Sequence, residues 1–110
     1  MQIEKQRALR KKYPSIFRKP IIIDCWKGWF KIIDRLAEEL FKIDKSVKIL
    51  SITSDLGLKV TLDKTSNDLD KIVESFRAES LKTCEICGEP GKLCSIKLLE
   101  QKRVCCDNHK

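Results

Sequence analysis

Six cysteines and a single histidine are the side chains of this 110-residue chain best suited to chemistry, and five of the cysteines share the last twenty-seven residues with that histidine. Cys84-Glu85-Ile86-Cys87 is followed, after eighteen intervening residues that begin with Gly88, by Cys106-Asp107-Asn108-His109, a C-x2-C-x18-C-x2-H arrangement. Zinc takes four soft or borderline ligands in a tetrahedron, about 2.3 Å from sulfur and 2.0–2.1 Å from nitrogen. Two cysteines two residues apart both reach one ion when the backbone makes a tight knuckle, and Gly88 tolerates the positive φ such a turn often needs. Cys106 and His109 are three apart, on one side of a helical turn. The spacing predicts one structural zinc held by Cys84, Cys87, Cys106 and His109.

Cys105 and Cys106 are adjacent and point opposite ways in an extended chain, so one of them binds, and the spacing to His109 favours Cys106. Cys105 is then a small core residue or a spare ligand. Cys94 is a packing residue, or a replacement for His109 in a four-thiolate site. Cys25, distant in sequence, packs under the first long helix. A disulfide framework would suit a secreted protein, and the charged N-terminus does not read as a secretory signal. A thioredoxin-type pair would sit at the strand-to-helix junction of a βαβ unit, whereas the sequence reads as hairpin-rich without one. Four protein ligands leave no open position for water, and with His109 bound no histidine remains as a general base. No glycine-rich phosphate loop, serine triad or paired-carboxylate motif is present, so the expectation is a protein that is not an enzyme and has no small-molecule substrate.

The elements that must position these ligands are legible in part. Ile3, Ala8 and Leu9 mark a weak helical stripe that Pro14 ends, with Ile16 and Phe17 available to anchor it. Asp24 is placed to cap a helix whose apolar positions are Trp26, Trp29, Phe30, Ile33, Leu36, Ala37, Leu40 and Phe41, with charged residues on the other side. Residues 47–54 are rich in β-branched types and read as a strand, and Leu58, Val60 and Leu62 alternate with polar residues as a second strand after a turn at 55–57. Thr65 or Ser66 caps a third helix with Leu69, Ile72, Val73, Phe76 and Leu81 on its buried stripe and Asp68, Asp70, Lys71, Glu74, Arg77 and Glu79 facing solvent. A short hairpin between the knuckle and Cys106 completes an α+β chain: helix, β-hairpin, helix, then a treble-clef-like or ribbon-like finger. The expected organisation is a basic arm over 1–20, a helix-hairpin-helix core over 21–82, and a Cys3His finger over 83–110 packed on that core.

Charge is uneven. Residues 1–20 carry seven basic groups and one acidic group, and the other ninety carry sixteen and fifteen. The overall net charge of +7 therefore describes the arm more than the body. No apolar run approaches the ~18 residues of a membrane span, and a cytoplasmic location is expected.

Gly28-Trp29-Phe30 with Ile33-Asp34-Arg35-Leu36, Gly57-Leu58-Lys59, and Thr83-Cys84-Glu85-Ile86-Cys87-Gly88-Glu89-Pro90-Gly91 with the terminal Cys106-x-x-His109 recur together in a family of small, mostly uncharacterised phage, prophage and bacterial proteins. The chain resembles that family over roughly residues 21–110. The resemblance implies the same element order, the same four metal ligands, and a host-cytosol setting for a phage-encoded protein. The chain departs from the family at Leu98-Leu99, where an aromatic is usual, at Cys105, and in the reduced hairpin end Lys59-Val60-Thr61-Leu62; the metal set is intact. Two partner classes follow. A protein-binding adaptor or inhibitor is favoured by the near-neutral body and by Trp26 and Trp29 on the first long helix. A nucleic-acid binder would use Arg7, Arg10, Lys11 and Lys12 of the arm with Lys97, Lys102 and Arg103 of the finger.

Overall fold

A computed structural model describes residues 3–17, 22–25, 27–54, 57–96 and 101–106, with the backbone alone for residues 3, 22, 93–96 and 101–103. The elements run α1 (Ile3–Lys12), β1 (Ile22–Asp24), a single 3-10 turn (Lys27–Trp29), α2 (Phe30–Ile43), β2 (Ile49–Ser54), β3 (Leu58–Leu62), α3 (Asn67–Ser80), β4 (Lys92–Ile96) and β5 (Gln101–Cys105). β1, β2 and β3 form one sheet in that order, and β4 and β5 form a separate hairpin.

The expected hairpin is present: β2 and β3 pair antiparallel, from Ser54 opposite Leu58 to Ile49 opposite Leu62. β1 is the unforeseen strand. Ile22, Ile23 and Asp24 pair in parallel with Ser51, Ile52 and Thr53, so β1, α2 and β2 make a βαβ crossover. The sequence reading that excluded such a unit is corrected, yet the knuckle cysteines lie after α3 and not at its strand-to-helix junction. Asp24 consequently ends a strand instead of capping a helix. α2 starts later, from Trp29, with no side-chain cap.

The core fills the space between α1, α2 and the sheet. Ile32, Ile33, Leu36, Ala37 and Leu40 of α2 are buried. Leu9, Tyr13, Ile16 and Phe17 belong to the same cluster, with Ile49, Ile52, Leu58 and Leu69. Residues 3–17 are thus part of the core, a helix docked against α2 and not a solvated arm; Ile16 and Phe17 do anchor it, and the Ile16 carbonyl accepts from the Ile49 amide at 3.1 Å. Two residues on β2 that both face inward, Ile49 and Ile52, are three apart because the pairing register shifts between Ile49 and Ser51. A bulge of this kind carries Leu50 outward and restores the inward face one residue later.

Ser66 is the cap of α3, its hydroxyl accepting from the Leu69 amide at 3.2 Å. Two α3 side chains tie that helix to β3: Arg77 donates to the Leu58 carbonyl at 2.9 Å, and the Ser80 hydroxyl accepts from the Leu58 amide at 2.9 Å. Arg77, expected on the solvent face, is therefore a bridging residue. Among the described residues no helix is long and apolar enough to cross a membrane.

Candidate metal centre

The knuckle is built immediately after α3. The Gly88 amide donates to the Cys84 carbonyl at 2.9 Å, closing the turn between the two cysteines, and the Cys84 amide donates to the Glu89 carbonyl at 2.7 Å. Gly88 has φ +86°, a conformation that costs an L-residue roughly 1–2 kcal/mol, which explains glycine there. Thr83 and Pro90 bridge antiparallel, and the Gly91 amide donates to the Lys82 carbonyl at 2.9 Å. A side chain at 91 would meet the Cys105 carbonyl at 2.7 Å, so Gly91 lets the knuckle lie against the end of β5, where Cys106 follows.

This apposition brings three sulfurs together. The Sγ atoms of Cys84, Cys87 and Cys106 all lie within 4.8 Å of one another, and those of Cys87 and Cys106 are 3.7 Å apart. A disulfide needs about 2.05 Å. The edge of a tetrahedron with ~2.3 Å zinc–sulfur bonds is about 3.8 Å. The Cys87–Cys106 separation matches that edge, and the three sulfurs together could hold a metal ion.

The electrostatics agree. Burial pushes the Cys84 thiol up, but amides of Cys87, Cys106 and Ile86 aimed at its sulfur, with the Cys87 thiol, bring it down to about 7. The Glu89 amide favours the Cys87 thiolate, yet desolvation and the neighbouring Cys84 and Cys106 sulfurs outweigh it and hold that thiol above its ordinary value. One sulfur ionises readily and the next resists sharing its charge. A divalent cation resolves that conflict, since coordinated thiols lose their protons outright.

Cys106, the ligand favoured by spacing, is the one in the cluster; Cys105 is buried and stands outside the three-sulfur group. His109, Trp26 and Lys97 lie outside the described residues. Cys94 lies on β4 opposite Arg103 of β5, and Lys102 lies opposite Ser95. Arg7, Lys11 and Lys12 are exposed on α1 and Arg10 is half-buried there. Lys12 is paired with Asp34 at 3.1 Å. Trp29 is a correction: it is fully buried and offers no surface to a partner.

What Trp29 does instead was missed by sequence reasoning. Its indole Nε1 donates to the Thr83 carbonyl at 3.0 Å. The preceding Gly28 amide donates to the Glu85 carbonyl at 2.7 Å. The Glu85 amide donates to the Val104 carbonyl at 2.8 Å, and its buried carboxylate accepts from the Ser54 hydroxyl at 2.7 Å. Gly28, Trp29, Ser54 and Glu85 therefore clamp the knuckle to the helix start, the sheet and β5. No local pattern in the sequence signals this contact, because Gly28-Trp29 and Cys84-Glu85 stand more than fifty residues apart. The molecule is thus a small α+β domain bearing a three-cysteine cluster consistent with a zinc-binding module. No protein-family model and no solved structure matches the chain.

Proposed function

We propose that this protein is a small zinc-stabilised interaction module that performs no chemistry on its partner. The observation that carries the reading is the trio Cys84, Cys87 and Cys106, held at ligand spacing by a knuckle clamped to the core. With His109 as fourth ligand the ion has no position for water, and its contribution is to folding, roughly 10–16 kcal/mol in comparable finger peptides. A reducing compartment such as the cytoplasm suits such thiolates. A mobile-element setting belongs to the same proposal and rests on the motif resemblance alone.

Of the two partner classes, nucleic acid has the better support. The case for a protein partner rested on a near-neutral body and on Trp26 and Trp29 of the first long helix; Trp29 is buried, and Lys27, Lys31 and Arg35 share a cleft with Lys5 of α1. The module reading is tested by elemental analysis of protein purified under reducing conditions. The expected result is one zinc per chain, and C84S should abolish binding and unfold the C-terminal third. Metal-free protein with an unchanged folded spectrum and unchanged melting would overturn it.

A further inference from the structure

We infer that the face formed by α1, the 3-10 turn and the first half of α2 binds the phosphodiester backbone of nucleic acid, with the cleft beside the knuckle as its central phosphate site. The inference rests on the interaction-module reading and adds the surface and the ligand chemistry.

The cleft encloses about 400 Å³ and draws Lys5 from α1, Lys27 from the turn, Lys31 and Arg35 from α2, and Cys87 and Gly88 from the knuckle. Lys27, Lys31 and Arg35 recur every four residues, so they form one stripe along the helix start. Like charges at that spacing destabilise a helix. Elsewhere the molecule neutralises such charges: Lys42 pairs with Glu38 and Glu39, and Lys64 with Asp44. Here Arg35 pairs with Glu79, whereas among the described residues Lys27 and Lys31 have no carboxylate partner. Lys5 stands over the Phe30 ring, 4.5 Å from its centroid, which fixes a fourth cation at the cleft. Glu89 is the second acid on its lining.

The charge of the whole chain sharpens the choice of ligand. Residues 1–35 hold ten basic and three acidic groups, a net of +7, and the remaining seventy-five hold thirteen of each. The entire surplus thus sits in the segment that supplies this face, and Arg7 and Lys11 extend it along exposed α1. Cations repeated over several turns match a polymer of evenly spaced phosphates and release its counterions on contact. A single acidic side chain would engage only one or two of them.

The test uses zinc-loaded full-length protein and fluorescein-labelled DNA, a 20-nucleotide single strand and a 20-base-pair duplex, followed by anisotropy. Binding to at least one form is expected at 50 mM salt, falling by roughly 100-fold at 200 mM for about four phosphate contacts. K27E/K31E should weaken binding at least tenfold and flatten the logarithmic salt slope by about two. K45E/K64E, which changes net charge equally at the far end of α2, where Lys64 pairs with Asp44, should cost less than threefold. K27A/K31A, a gentler change, is expected to retain the fold and still flatten the slope. The inference is overturned by absence of binding at 50 mM salt, by equal losses in the two reversals, or by polyglutamate competing as well as unlabelled DNA, which would mark an acidic protein surface as the ligand. None of these results alters zinc stoichiometry or the folded spectrum, so failure here is distinct from failure of the module reading.

Discussion

No side chain fits at position 28. A Cβ there would lie 2.2 Å from the Cys84 carbonyl oxygen and 2.3 Å from that of Glu85, both backbone atoms of the knuckle that have nowhere to go. At Gly88 the demand is different: the added carbon would be 3.3 Å from the Gly28 carbonyl, and the strain is in φ. G28A should therefore destabilise zinc-loaded protein by about 3 kcal/mol or more, as overpacking against backbone does at its upper range, and G88A by roughly 1–2 kcal/mol. Urea unfolding followed by tryptophan fluorescence ranks the two, and equal losses would mean that the clamp is weaker than its geometry. The contrast also shows what was legible at this scale. Cys84, Cys87, Cys106 and Gly88 announce themselves because two-residue spacing and a tight turn are local constraints. Glu85 and Gly28 do not, because their roles exist only once residues more than fifty positions apart are in contact.

Elements were read well where a single periodicity governs them. α3 and β3 show the expected stripes because each packs on one side, except that Leu81 falls just past the end of α3 and is exposed, and Ser66 caps as its type predicts. β2 was harder, since the bulge at Leu50 breaks the period of two, and β1 was missed because a three-residue strand carries too little pattern to compete with a capping aspartate. α1 is the instructive case: its charge dominated the composition of residues 1–20 and concealed a narrow apolar side. Leu9, Ile16 and Phe17 are almost completely buried, worth roughly 1.5–3 kcal/mol each relative to exposure. Their sum is comparable with the 5–15 kcal/mol that typically separates a folded domain from its unfolded chain. A chain beginning at residue 21 is accordingly expected to lose cooperative melting by circular dichroism even with zinc present. A truncation that melts like the full-length protein would return this segment to the status of an appendage, and any binding experiment on the truncated chain must first pass that check.

At the scale of the molecule, counting charge by segment hid the feature that three dimensions reveal. Lys27, Lys31 and Arg35 share their stretch with Asp34, Glu38 and Glu39, so it reads as balanced, yet folding sets them beside Lys5, pairs Asp34 with Lys12 and leaves Glu38 and Glu39 further along α2. A face that repels itself has a consequence for stability independent of any ligand. Each like-charged pair four residues apart costs a few tenths of a kcal/mol at low ionic strength, and salt screens it within a Debye length of about 10 Å at 0.1 M. Raising sodium chloride from about 20 to 200 mM should therefore raise the melting temperature by roughly 1–3 °C, the shift expected for a few tenths of a kcal/mol in a domain of this size. K27E/K31E places acids on the same stripe and should melt higher than wild type at low salt, with its salt response reduced or reversed. Stability and binding would then move in opposite directions in one variant, as expected where a surface is kept strained for function. If the reversal instead lowers melting at every salt concentration, the stripe is held by contacts other than charge, and the basic face is not the self-repelling surface its spacing describes.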